Sequence, residues 1–201
     1  MKSLFDFIVE PLNGKYNSEI KLSDKSLVTN VDLDNFRAVS NMAKVISTPL
    51  AYNTKISEGD IIIIHHNVFR TFRDIRGKQK TSRSKFTENL YFVAMDQVYM
   101  YKNKKNWNTF NNRCFVKPLL SDNDLTLDKE RELIGILKYG NSSLEALKIT
   151  PGDVVGYTPG GEYEFFIDGE RLYCMKSNDI VIKYEQQGNE IEYNPSWAKS
   201  S

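Results

Sequence analysis

A six-residue pattern that recurs once constrains this chain more than anything else in it. Phe7-Ile8-Val9-Glu10-Pro11-Leu12 is echoed by Cys114-Phe115-Val116-Lys117-Pro118-Leu119, in each case an apolar run stopped by proline. Two further landmarks follow in the same order. Lys55-Ile56-Ser57-Glu58-Gly59-Asp60-Ile61 returns as Lys148-Ile149-Thr150-Pro151-Gly152-Asp153-Val154, a tight turn before a β-branched run. Leu90-Tyr91 with Val98-Tyr99-Met100 corresponds to Leu172-Tyr173 with Ile180-Val181-Ile182. Three landmarks in one order point to a duplicated module. The offset between copies shrinks from one landmark to the next, so copy one carries two insertions. The reading is a first module over residues 4–102, a polar linker at 103–112, a second module over 113–185 and a tail at 186–201.

The expected secondary structure is mainly β. Ile61-Ile62-Ile63-Ile64 follows a Gly-Asp turn, and Glu162 to Ile167 alternates acidic with aromatic residues before Asp168-Gly169. Asp and Gly accept the positive φ that a two-residue hairpin turn imposes, so this pair joins two strands. Short strands with closely spaced turns favour small barrels. Residues 128–137 and, more weakly, 35–45 are the only stretches with a helical pattern.

Charge separates the modules. The chain has 27 basic and 26 acidic residues, yet a cut after Trp107 leaves +6 before it and −5 after it. Whole-chain neutrality therefore says little about partners. No apolar stretch approaches the ~20 residues of a membrane helix, and the first residues lack the apolar core of a secretory signal. Two cysteines, Cys114 and Cys174, fit a reducing compartment. A cytoplasmic protein without a membrane partner is expected.

Catalytic and metal-binding patterns are weak. His65 and His66 are adjacent; in a strand one ring faces the core and the other solvent, so they do not chelate one ion together. Thr158-Pro159-Gly160-Gly161 reads as a turn, because no lysine or helix follows to make a phosphate loop. The expectation is a non-enzyme with neither catalytic residues, metal nor cofactor.

The insertions are more informative. One, at residues 13–35, is polar but holds apolar islands at Ile20, Leu22, Leu27, Val28 and Val31. It is read either as an edge strand of the barrel or as a recognition segment that a partner covers. The other is basic: residues 73–88 set Arg73, Arg76, Lys78, Lys80, Arg83 and Lys85 against Asp74 and Glu88, a net +4. These six cations are a candidate polyanion site, with Phe69, Phe72 and Phe86 nearby. A solvated face or a contact to an acidic neighbour is the commoner use of such a segment.

The order of landmarks resembles the GroES-like co-chaperonins (the 10 kDa chaperonin fold). Gly152-Asp153-Val154-Val155 through Leu172-Tyr173-Cys174-Met175-Lys176-Ser177-Asn178-Asp179-Ile180-Val181-Ile182 is similar to that family's second half. In copy one, Gly59-Asp60-Ile61-Ile62-Ile63 and Asp96-Gln97-Val98-Tyr99 take the same places. The resemblance implies two tandem GroES-like small β-barrels and a homo-oligomeric ring. It also implies a lid function over a GroEL-type chaperonin cage that assists protein folding. In that family a mobile loop after the first strand docks an apolar tripeptide into the chaperonin. Residues 13–35 occupy that place, so the resemblance carries chaperonin binding onto Leu27-Val28-Thr29 first and Ile20-Lys21-Leu22 second. Copy two has only residues 121–130 there, so copy one alone is expected to make the contact. A divergent tandem form suits a cellular or a viral source, the latter acting in host cytoplasm. The alternatives are an assembly protein whose oppositely charged modules attract head to tail, and a nucleic-acid-binding module using residues 73–85.

Overall fold

The computed structural model describes residues 2–12, 14–15, 19–22, 25–28, 39–121, 130–185 and 191–194. The chain divides into two compact units, Met1–Asn108 and Thr109–Ser201. Both are antiparallel β structures.

The first unit contains β1 (Phe7–Pro11), β2 (Glu19–Leu22), β3 (Lys25–Val28), β4 (Met42–Ser47), β5 (Ile61–Ile64), β6 (Thr71–Arg73), β7 (Gln79–Thr81), β8 (Tyr91–Val93), β9 (Val98–Asn103) and β10 (Asn106–Thr109). Its main sheet runs β10-β9-β5-β4-β1-β8, while β2-β3 and β6-β7 form separate two-stranded sheets. Ile62, Ile63 and Ile64 are all buried, as are Phe7, Ile8 and Val9. Consecutive strand residues point to opposite faces, so these central strands are covered on both. β-branched residues suit that environment.

The second unit contains β11 (Arg113–Leu120), β12 (Glu130–Tyr139), α1 (Ser142–Ala146), β13 (Val154–Tyr157), β14 (Tyr163–Ile167), β15 (Glu170–Lys176) and β16 (Ile180–Lys183). Its sheet runs β14-β15-β11-β12-β13-β16. One core joins Cys114, Val116, Leu137, Leu144, Val155, Tyr157 and Met175. On the other face of β11, the Phe115 ring lies 5.9 Å from Phe165 and 6.4 Å from Tyr139. Among the described residues no strand pair joins the two ends of either sheet, and no closed barrel is found.

Five strands of each unit share one order, β8-β1-β4-β5-β9 and β15-β11-β12-β13-β16. Their registers match as well. Val9 faces Val45 and Pro11 faces Ala43; in the second unit Val116 faces Leu137 and Pro118 faces Gly135, with a bulge just before Val9 and Val116 alike. A second bulge recurs after Ile63 and after Gly156. The Gly-Asp turns are built alike. Gly59 and Gly152 take positive φ (90° and 100°), their N–H groups donate to Val45 O and Leu137 O at 2.8 Å, and the Asp60 and Asp153 carboxylates accept from Ser57 N–H (2.8 Å) and Thr150 N–H (2.7 Å). A capped 3-10 turn precedes both β9 and β16, closed by Ala94 N–H to Gln97 Oε1 (3.0 Å) and by Lys176 N–H to Asp179 Oδ2 (2.9 Å).

Several expectations are corrected. The helical pattern at 128–137 falls largely on β12, because pairing to β11 and β13 outweighs it; residues 128 and 129 lie outside the described residues. Residues 42–45 likewise belong to β4. Among the described residues the α-helix that forms, α1, is short and capped by Asn141 Oδ1, which accepts from Ser143 N–H and Leu144 N–H. Within 103–112, β10 forms a hairpin with β9. Part of the tail is ordered: Tyr193 N–H donates to Pro118 O, and the Asn194 side chain bonds Arg171 N–H and Gly169 O. Trp197 lies outside the described residues.

Candidate functional site

The 13–35 insertion emerges where β1 ends at Pro11. Leu12 N–H still donates to Met42 O (3.1 Å), and Ser40 N–H donates to Lys15 O (2.9 Å), which closes the base of the excursion. Val39 and Ser40 are buried at that base. Lys15 is fixed from above: its Nζ donates to Glu88 O at 3.1 Å and lies 5.5 Å from the centre of the Tyr91 ring.

Beyond this base the chain forms the β2–β3 hairpin. Glu19 pairs with Val28, Ile20 with Leu27, Lys21 with Ser26 and Leu22 with Lys25. The two tripeptides read as alternative docking segments are thus opposite arms of one hairpin. Ile20, Leu22, Leu27 and Val28 lie within it; Thr29 and Val31 lie outside the described residues. Among the described residues of this insertion, β2 and β3 form their own two-stranded sheet rather than an edge strand of the main sheet. In the second unit, β11–β12 pairing reaches Leu120 opposite Glu130, and residues 122–129 lie outside the described residues.

The basic insertion also folds into an arm. β6 and β7 pair Thr71 with Thr81, Phe72 with Lys80 and Arg73 with Gln79. Asp74 builds the connecting turn: its Oδ1 accepts from the N–H groups of Arg76 (2.9 Å) and Lys78 (3.0 Å), and Gly77 supplies a φ of 73°. These bonds, that from Lys78 first, hold the Asp74 carboxyl below its ordinary pKa. Lys80 reaches it at 3.3 Å. Arg73, Arg76, Lys78, Lys80, Arg83 and Lys85 are all exposed. At the turn, Ile75 is 104% exposed, a feature that charge counting over this segment passes over. Phe69 is buried against Tyr91 at 4.9 Å, and Phe86 packs on Phe92 at 4.9 Å. These two rings are engaged with the body of the unit.

The histidine pair differs from its expected geometry. β5 stops at Ile64, so the alternation of a strand no longer applies, and the rings of His65 and His66 stack at 4.4 Å. His65 Nδ1 accepts from Asn67 N–H. Burial, then the neighbouring His65 and Arg70, lowers the pKa of His66. Among the described residues no group of three or more His, Cys, Asp or Glu is placed to hold a metal. No helix there is long and apolar enough to cross a membrane. Thr158 to Gly161 connects β13 to β14 through a turn at Pro159 and Gly160.

No protein-family model matches this sequence, and no curated protein matches it.

Proposed function

We propose that the chain is a co-chaperonin of GroES-like type, two tandem small β-barrels in one polypeptide. It caps a GroEL-type chaperonin cage and assists protein folding without chemistry of its own. The observation that carries this reading is the β2–β3 hairpin. An apolar-bearing excursion leaves the main sheet directly after β1, from a base held by Ser40 and Lys15. The shared strand order and register of the two units support a pair of related modules.

On this reading the hairpin of copy one makes the chaperonin contact. The chain assembles as a homo-oligomeric ring in the cytoplasm, or in host cytoplasm for a viral source.

Size-exclusion chromatography of the full chain with a GroEL-type chaperonin and nucleotide tests the proposal. Co-elution that is lost when residues 19–28 are replaced by a glycine-serine linker is expected. Absence of co-elution by the unaltered chain defeats it.

A further inference from the structure

The two insertions of the first unit meet at their bases. Lys15, at the root of the excursion that carries β2–β3, donates to Glu88 O and sits over Tyr91 of β8. The basic arm returns to the same strand: Ser82 N–H donates to Arg70 O (3.0 Å), and Phe92 N–H donates to Ser84 O (2.7 Å). The bases of the apolar hairpin and of the cationic arm therefore both contact β8, the edge strand of the sheet, or the residues just before it.

We infer that they form a single composite docking face for a protein surface that presents carboxylates beside an apolar groove. The hairpin enters the groove and the arm lies along the acidic rim. This inference rests on the co-chaperonin reading and adds the chemistry of the partner's rim.

Charge gives the arm its sign, since Asp74 is the sole acid among residues 73–85 against six cations. Ile75 indicates the class of partner. A fully exposed isoleucine is stabilised when apolar surface covers it, and phosphates offer none. The turn that holds Ile75 outward is built in advance by Asp74, so little conformational freedom is lost on contact. A single-stranded nucleic acid needs aromatic faces on which bases stack; Phe69 is buried, and Phe86, 48% exposed, has one side taken by Phe92.

The test is fluorescence anisotropy of the full labelled chain against a GroEL-type chaperonin with nucleotide, at low and high salt. A quadruple variant, Arg76→Ser, Lys78→Ser, Arg83→Ser and Lys85→Ser, leaves Asp74 and Lys80 in place. It should bind about tenfold more weakly at low salt and lose most of the salt dependence. Ile75→Ser should weaken binding several-fold with the salt dependence kept. Both should melt at the wild-type temperature, because the altered side chains are exposed.

Wild-type affinity and salt dependence in the quadruple variant, with binding abolished by removing residues 19–28, would overturn the composite face and leave the co-chaperonin reading standing. No binding by the unaltered chain removes both. Arm-dependent binding of a short DNA duplex, tighter than binding of the chaperonin, would also overturn the inference and assign the arm to nucleic acid.

Discussion

Lys117 is 5% exposed in a strand whose other side chains are mostly apolar. Burial disfavours its charge, but a hydrogen bond to Glu192 and the field of Glu170 outweigh that and raise its pKa. Glu170 is the mirror case. Its burial is opposed by Lys138 and then Lys117, and its pKa falls below the ordinary 4.5. A lowered carboxylate pKa stabilises the fold fully above the unfolded value and ceases to do so as pH drops through the folded one. Urea midpoints of the unaltered chain should therefore fall below about pH 4.5, and Glu170→Gln should flatten that acid slope while lowering the midpoint at pH 7. An unchanged slope in the variant contradicts this account. Cys114 and Cys174 are buried, and burial pushes both thiols up to about 12. A thiol reagent at pH 8 should label neither in the native chain and both after unfolding. Legibility in sequence follows distance along the chain. Asp168-Gly169 is readable because its demand for positive φ is local, and the values are 50° and 78°. The partners of Lys117 lie 53 and 75 residues away, beyond any local pattern.

At the level of elements, the matched Gly-Asp turns offer an internal comparison. Asp60 and Asp153 each accept one backbone N–H of the turn, but Asp153 also pairs with Lys183 at 2.8 Å. Replacing either by Ala should cost about 1 kcal/mol for the lost turn bond, with Asp153→Ala costing more through its ion pair. Chemical denaturation of the two variants decides the order, and a larger loss for Asp60→Ala contradicts it. The strand pairing at Gly135 is tighter. A Cβ there meets Val116 Cγ1 at 2.4 Å and Lys117 O at 2.5 Å, so Gly135→Ala should destabilise by about 1–3 kcal/mol, read from the same denaturation curves. The β-branched runs and turn dipeptides revealed most strands, because alternation and turn chemistry are short-range signals. β12 was obscured: Leu133, Ile134 and Leu137 also suit a helical spacing, and only pairing with β11 and β13 decides between the two. The arm and the hairpin were visible as insertions, but not as paired strands, since polar residues carry little periodicity.

For the whole molecule, the repeated landmarks anticipated where the two sheets share register, since each landmark spans a strand end or turn whose geometry its residues dictate. What joins the two insertions was not legible, because Lys15 and Glu88 are far apart in sequence. The electrostatic picture also changed. Some acids of the second unit are paired within it: Arg171 holds Glu130 and Glu164, Lys117 and Lys138 hold Glu170, and Lys183 holds Asp153. The +6 of the first unit, by contrast, includes six exposed cations on one segment. The proposed capping of a chaperonin through the hairpin of the first unit can be measured on the intact assembly. Native mass spectrometry of the full chain with a GroEL-type chaperonin and nucleotide tests it most directly. A discrete complex is expected, with the mass of the chaperonin plus a fixed number of chains, and it is lost when residues 19–28 are replaced. A spectrum of unbound chaperonin and unbound chain, or a complex that survives the replacement, would contradict it.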